Sequence, residues 1–249
     1  TLFSNRNNIW AMEWRDQGIL LNVSQHGENA VIIEVLTLEH GRHAGVVLGG
    51  RSHKIKPTLQ IGAQLDLVWR ARLEDHLGTF KVELIRSRNA LVMSNRQALA
   101  GLNSVIAMLL IFIPEREVCT SLCVATEHLL DVIDRQDFWP QVYLKWELAM
   151  LDILGFGLNL STCAVTGGNE NLNYISPKSG NAISTEAAGK WASRLLPFPR
   201  LLKDQATADS FEVKEALDIT GYFFKNHVAK GLGIKKLPAS RSRFLSELV

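Results

Sequence analysis

The sequence predicts a mixed α+β protein, with a small barrel or sandwich of five short strands over residues 12–89 and a helical region over residues 90–249. Three observations carry this. Period-two alternation, punctuated by glycine turns, runs as far as residue 86. Beyond Asn89 the period becomes helical. The charge balance changes as well: residues 40–90 hold nine Lys/Arg against four Asp/Glu, and residues 115–160 hold three against eight.

Each strand has its own signal. Residues 18–23 form an apolar run, and residues 25–29 (QHGEN) a turn. Residues 30–36 are rich in Val and Ile, and His40-Gly41 makes the next turn. Residues 44–48 follow, then Gly49-Gly50 and a basic loop closed by Pro57. Over residues 64–73, Leu65, Leu67, Trp69, Ala71 and Leu73 point one way, and Asp66, Arg70 and Arg72 the other. Residues 79–86 give a fifth strand with Phe80, Val82 and Leu84 inward. The helical portion starts with residues 91–113, apolar all round and stopped by Pro114. Residues 115–134 begin with acids after a proline, a favourable helix start. Residues 139–154 end at Gly155. Residues 161–184 carry turn chemistry around a short strand at 172–175. Residues 185–195, 211–230 and 241–248 read as further helices.

Hydrophobic residues make up 47% of the chain and charged residues 21%, enough apolar material for a core and against extended disorder. Net charge is only +2, so a case for a polyanionic partner must rest on where charge lies. Three cysteines point to a reduced, cytoplasmic compartment rather than a disulfide scaffold. The longest apolar run, residues 105–113, is too short to cross a bilayer. Residues 1–11 lack the basic start and apolar core of a signal peptide and read as a leader or upstream extension. Met12 opens the patterned segment.

Residues 45–52 (GVVLGGRS) have the spacing of a phosphate-binding loop with Arg51 in place of lysine. Such a loop needs a helix directly after it, and the continuation HKIKP reads as extended. The glycine pairs 155/157 and 231/233 lack a third glycine and read as helix caps. No catalytic constellation emerges. Cys119 and Cys123 lie four apart on a buried helix and read as packing. Cys163 has no CxxC partner, because Thr166 holds that place, so no metal site is expected.

The basic cluster remains. Arg51, His53, Lys54 and Lys56 share one loop, Arg42 follows the Gly41 turn, Arg70 and Arg72 share an outward face, and Arg86 and Arg88 are spaced by two at the last strand's end. A cationic groove that follows phosphates is what single-stranded nucleic acid requires, supplemented by aromatic stacking. The stacking half is thin, since Trp69 and Phe80 fall in phase with the core. On the residues alone, a nucleic-acid surface and an ordinary solvated face both stay open. So does a protein-interaction adaptor whose barrel binds a partner and does not bind DNA.

Several separated motifs, in order, carry a resemblance. MEWRDQGILL from Met12, HGE at 26–28, EHG at 39–41, GGR at 49–51 and LQIG at 59–62 resemble the N-terminal half of the bacterial recombination-repair family RecO. WEL at 146–148, LGFG at 154–157, CAVTG at 163–167 and YISPKSG at 174–180 are similar to its C-terminal half. The resemblance implies an N-terminal OB-fold, a helical domain, and an inserted element at 161–184 that in some members binds zinc through four cysteines. Only Cys163 is present here, so a zinc-finger-like element without zinc is expected. The resemblance further implies a monomeric, non-enzymatic, nucleoid-associated protein. It would bind single- and double-stranded DNA, anneal complementary strands, and work with RecR to load RecA onto strands covered by single-stranded-DNA-binding protein. The acidic tail of that last partner makes Arg116, Arg135 and Lys145 candidate contacts.

Overall fold

Alternating burial along five strands builds the first part of the chain: β1 (Met12–His26), β2 (Ala30–Thr37), β3 (Arg42–Val47), β4 (Gln64–Ala71) and β5 (Thr79–Arg86). In this computed structural model, which describes residues 12–135, 137–203 and 208–248, they close into a barrel in the order β1-β2-β3-β5-β4. The leader expected at 1–11 lies outside the described residues. Leu20, Ile33, Val35, Leu65, Leu67 and Trp69 fill the interior.

β1 is longer than the apolar run at 18–23 predicts, because it serves two neighbours. Met12–Ile19 pairs antiparallel with β4, and Gly18–His26 with β2, across an irregularity between Leu20 and Asn22. Its first half alternates polar residues that apolar patterning does not register. Two expected inward residues are corrected. Leu73 is 54% exposed, because β4 ends at Ala71. Leu84 is 45% exposed, because β5 pairs with β3 only at Val46↔Thr79 and its second half runs on without a strand partner there.

One end of the barrel holds an aromatic box. Trp14 stacks on His40, with ring centroids 3.9 Å apart, and lies 5.5 Å from Trp69. His43 stands edge-on to both tryptophans at 5.1 and 5.0 Å. Its ring nitrogens are buried with no hydrogen-bond partner among the described residues. Burial, reinforced by the charge of Arg116, draws its pKa from 6.5 down to about 4. Asp16 braces the adjoining turn, accepting from the Glu39 N–H at 2.8 Å and facing His40 Nδ1 at 3.0 Å.

The chain forms two compact units. One holds the described residues through Ser94 with Leu109–Leu130; the other holds Asn95–Met108 and the residues from Asp131 onward. The second segment of the barrel unit is tied in through backbone carbonyls of the first. Arg116 N–H donates to Arg42 O at 2.7 Å, and Thr120 Oγ1 to Leu38 O at 2.9 Å. Gly41, at φ +65°, makes the approach possible: a Cβ there would lie 2.1 Å from Glu117 O. This pairing overrides the helix start expected at Glu115. Arg116 sits at φ +64°, and the helix α3 (Thr120–Asp131) begins only afterwards.

The helix expected over 91–113 is split into α1 (Asn89–Met93) and α2 (Arg96–Phe112), because Asn95 Oδ1 caps the second by accepting from Gln97 N–H at 3.0 Å and Ala98 N–H at 3.2 Å. In the second unit Gly101 of α2 lets the Trp139 indole of α4 (Trp139–Ile153) approach to where a Cβ would be 2.0 Å away. A three-stranded sheet of β6 (Leu172–Ile175), β7 (Ala182–Ser184) and β8 (Leu196–Pro197) follows, in the order β7-β6-β8. The expected 185–195 helix is α5 (Thr185–Ala188) continued as a 3₁₀ segment, Gly189–Arg194. After α6 (Arg200–Lys203), the expected 211–230 helix is α7 (Ser210–Phe223), a π turn at Phe224–Val228, and α8 (Ala229–Gly231); α9 (Ala239–Ser246) comes last. Among the described residues no helix is long and apolar enough to cross a membrane.

The second unit's core contains an ion pair. Arg241 donates to both Glu147 oxygens, Nε at 2.7 Å and Nη2 at 2.8 Å, and to Leu217 O at 2.6 Å; the Thr220 hydroxyl also donates to Glu147. Burial pulls the Arg241 pKa down, but the Glu147 carboxylate more than offsets this and raises it. Nothing in the helical periodicity announces this pair.

Two consequences are measurable. Unfolded chains protonate His43 near 6.5, and the folded barrel resists until about 4. The stabilisation is therefore complete above pH 6.5 and is lost as pH falls through that window. It amounts to about 3 kcal/mol. Urea unfolding at pH 7 and pH 4 should show the wild type losing about that much more than His43→Phe; equal losses would refute it. For the buried pair, Glu147→Leu alone should cost about 3–5 kcal/mol by stranding Arg241, and adding Arg241→Met should recover most of that. A double variant no better than the single would show that the pair is not coupled.

Candidate nucleic-acid interface

The loop after β3 is built by tight turns rather than the extended run expected. Ser52 N–H donates to Gly49 O at 2.9 Å, Lys56 N–H to Ser52 O at 2.9 Å, and a single 3₁₀ turn, Lys56–Thr58, contains Pro57. No α-helix follows Gly50 before α1, so the phosphate-loop spacing lacks the helix N-terminus that such a site uses. Ile55 and Leu59 pack against the barrel interior and pin the loop. Arg51 Nη1 donates to Glu28 O at 2.8 Å and fastens it to the β1–β2 turn. Arg51, His53, Lys54 and Lys56 remain exposed, presented by an anchored backbone.

Beside the loop lies a groove of about 490 Å³ at the seam where β3 and β5 pair only through Val46↔Thr79. Its rim carries Lys54, Arg70 and Lys81 with one acid, Glu83, over an apolar floor that includes Ile55 and Val68. Arg70 pairs with Glu13 at 3.0 and 3.1 Å, and Lys81 with Glu83 at 3.3 Å. Both pairs are exposed, and such pairs contribute only about 0–1 kcal/mol, so a phosphate can compete for either cation. Lys81 was missed in the sequence; its outward phase on β5 was the signal.

The predicted cations do not share one surface. Arg72 and Arg86 are exposed at the ends of their strands. Arg88 is corrected: it is 2% exposed, and its guanidinium donates to Gly62 O at 3.0 Å and Gln64 Oε1 at 3.3 Å. Its spacing from Arg86 carries no shared face, because the strand ends at Arg86. Arg42 is corrected as well. It reaches Glu34 and donates to Ile113 O at 2.8 Å, with its side chain 13% exposed, so it ties the barrel unit together. Trp69 and Phe80 are buried.

Of the three candidate partner cations, Arg116 belongs to the barrel unit and donates to Glu74 O at 2.7 Å and His76 O at 3.2 Å. Arg135 and Lys145 belong to the second unit and are exposed. The element at 161–184 does not supply the donors of a four-cysteine zinc site. Its single thiol, Cys163, is buried and accepts the Ser184 N–H at 3.3 Å. Burial pushes that thiol up, but donors from Thr166 and Ser184 outweigh it and bring it to about 6. Among the described residues no group of three or more His, Cys, Asp or Glu is placed to hold a metal ion.

A closed five-stranded barrel with an anchored cationic loop, in a chain whose second unit is mainly helical, defines a two-unit barrel-and-helix protein. The family models for Recombination protein O N terminal and Recombination protein O C terminal match residues 12–88 and 93–236. DNA repair protein RecO of Ruegeria sp. (strain TM1040) is 52% identical over 237 residues, covering 95% of this chain and 98% of that relative. DNA repair protein RecO of Roseobacter denitrificans is 54% identical over 234 residues, covering 94% and 97%. That of Cereibacter sphaeroides (strain ATCC 17023) is 52% identical, covering 95% and 99%. The chain belongs to the RecO family, and its role lies in DNA repair and recombination.

Proposed function

We propose that this chain is a non-enzymatic recombination mediator, acting as a monomer in the cytoplasm at the nucleoid. It binds single- and double-stranded DNA through the loop Arg51, His53, Lys54 and Lys56, extended by Arg70, Arg72, Lys81 and Arg86. The observation that carries this reading is the pinned cationic loop beside a groove where the ion pairs of Arg70 and Lys81 are exposed. The strand order 1-2-3-5-4 agrees with an OB-fold, an architecture that binds oligonucleotides in many settings. Annealing needs no reacting group. Two phosphate backbones repel, and a surface that neutralises both lowers the barrier to pairing. With RecR, the same surface would help load RecA onto strands covered by single-stranded-DNA-binding protein, whose acidic tail would meet cations such as Arg135 and Lys145. We read the element at 161–184 as a zinc-finger-like unit held without metal by the hydrogen bonds around Cys163.

Reversing Arg51, Lys54 and Lys56 together to glutamate should weaken binding of a labelled oligonucleotide at least tenfold. It should also flatten the dependence of log affinity on log salt by about 2. Anisotropy titrations at several salt concentrations measure both, and an unchanged affinity and slope would overturn the site. A wild-type protein that binds no oligonucleotide would favour an adaptor instead. Elemental analysis of purified protein should find zinc well below one equivalent per chain; a stoichiometric content would overturn the metal-free reading.

A further inference from the structure

We propose that the second unit carries its own single-strand contact at Trp191, with an unpaired base stacking on the exposed indole and Lys190 and Arg194 neutralising the flanking phosphates. This rests on the DNA-binding reading above but names a site that neither the basic loop nor the groove includes.

Residues 187–203 contain four cations and no acid, in a unit whose 131–160 stretch is acidic. The 3₁₀ segment Gly189–Arg194 has three residues per turn, which sets positions 191 and 194 one above the other. Arg194 accordingly lies over the Trp191 ring, 5.0 Å from its centroid, and Lys190 Nζ lies 5.5 Å from it. Neither cation has a carboxylate partner among the described residues, in contrast to Arg200, which is held by both oxygens of Glu212.

Exposure is the second observation. Trp191 is 51% exposed, whereas Trp69, Trp139 and Trp146 are at most 2% exposed. Leaving half of an indole in water forgoes burial that would otherwise stabilise the fold. The side chain is therefore poor as a core residue and well formed as a platform. Its surroundings favour a polyanion over an apolar partner, because the ring is flanked by two charges with no carboxylate partner among the described residues, which an apolar interface would have to desolvate. Single-stranded nucleic acid suits both halves: its bases expose π-faces, and its phosphates run alongside. A duplex keeps its bases stacked on each other and offers only the phosphate half.

Anisotropy titrations with full-length protein and a labelled single strand test this. Trp191→Ala should weaken binding about 5- to 100-fold, and Trp191→Phe should retain most of the affinity. On a strand of the same length made of abasic sites, wild type and Trp191→Ala should bind alike, because no base is present to stack. Lys190→Ala with Arg194→Ala should lower the salt slope by about 1. Trp191→Ala binding within twofold of wild type on the normal strand would overturn the proposal, as would an equal loss on the abasic strand. If the barrel reversal weakens binding and Trp191→Ala does not, the second contact fails and the barrel site stands. If Trp191→Ala weakens binding and the barrel reversal does not, the second contact stands and the barrel site fails.

Discussion

A single long strand shared between two neighbours holds the barrel in its shape, and the position of the candidate interface follows from it. β1 gives its first half to β4 and its second to β2, so both of its sides are paired in turn. β2 and β3 add six further paired positions, and β4 and β5 seven. The remaining junction, β3 with β5, is a single pair of residues. A barrel closed this unevenly has one weak seam. Backbone groups and outward side chains are left accessible there, and the groove carrying Lys54, Arg70 and Lys81 opens at that point. The basic loop is fixed to the same region through Ile55 and Leu59 beneath and the Glu28 carbonyl at its side. Uneven pairing, rather than any motif, brings charges from the loop, β4 and β5 to one place.

Arginine does two kinds of work here, and composition does not tell them apart. Arg42, Arg88 and Arg241 are drawn inward because a planar guanidinium can satisfy several acceptors at once: a carboxylate with a carbonyl for Arg42 and Arg241, an amide with a carbonyl for Arg88. Lysine, a compact and strongly hydrated charge, is kept at the surface in Lys54, Lys56 and Lys81. The spacing of Arg86 and Arg88 suggests a shared face only while the strand continues, and it stops between them. Adding charge along a sequence therefore overstates a binding surface wherever carbonyls lie within reach of an arginine.

What the sequence made legible was regular burial. Residues 64–71 alternate as read, and Gly155 ends α4 as its position implies. What stayed illegible was set by contacts distant in the chain. The polar first half of β1 is a strand because β4 is there to pair with it. The acids after Pro114 fail to start a helix because Arg42 O claims the Arg116 N–H. The helix expected over 91–113 breaks where Asn95 turns its side chain back as a cap. In the candidate site the loop was readable, since glycines and a proline fence it. Lys81 was not singled out, because in sequence Glu83 stands beside it and the cations near it, Arg70 and Lys54, come from β4 and the loop.

Opposing charges in the groove bear on how such a surface would work. Glu13 and Glu83 occupy Arg70 and Lys81, so the unliganded rim is partly neutralised. A phosphate that displaces either carboxylate exchanges one exposed ion pair for another, a step of small net free energy in high dielectric. Binding built from many small exchanges, plus released counterions, is weak per contact and fast to rearrange. The annealing proposed above would demand that property, because a strand gripped too firmly could not slide into register with its complement. The Arg51, Lys54 and Lys56 side chains, which have no carboxylate partner among the described residues, would supply the standing attraction, while Arg70 and Lys81 adjust it. The same acids that dilute the basic character of the barrel would thereby keep such a surface exchangeable rather than merely sticky.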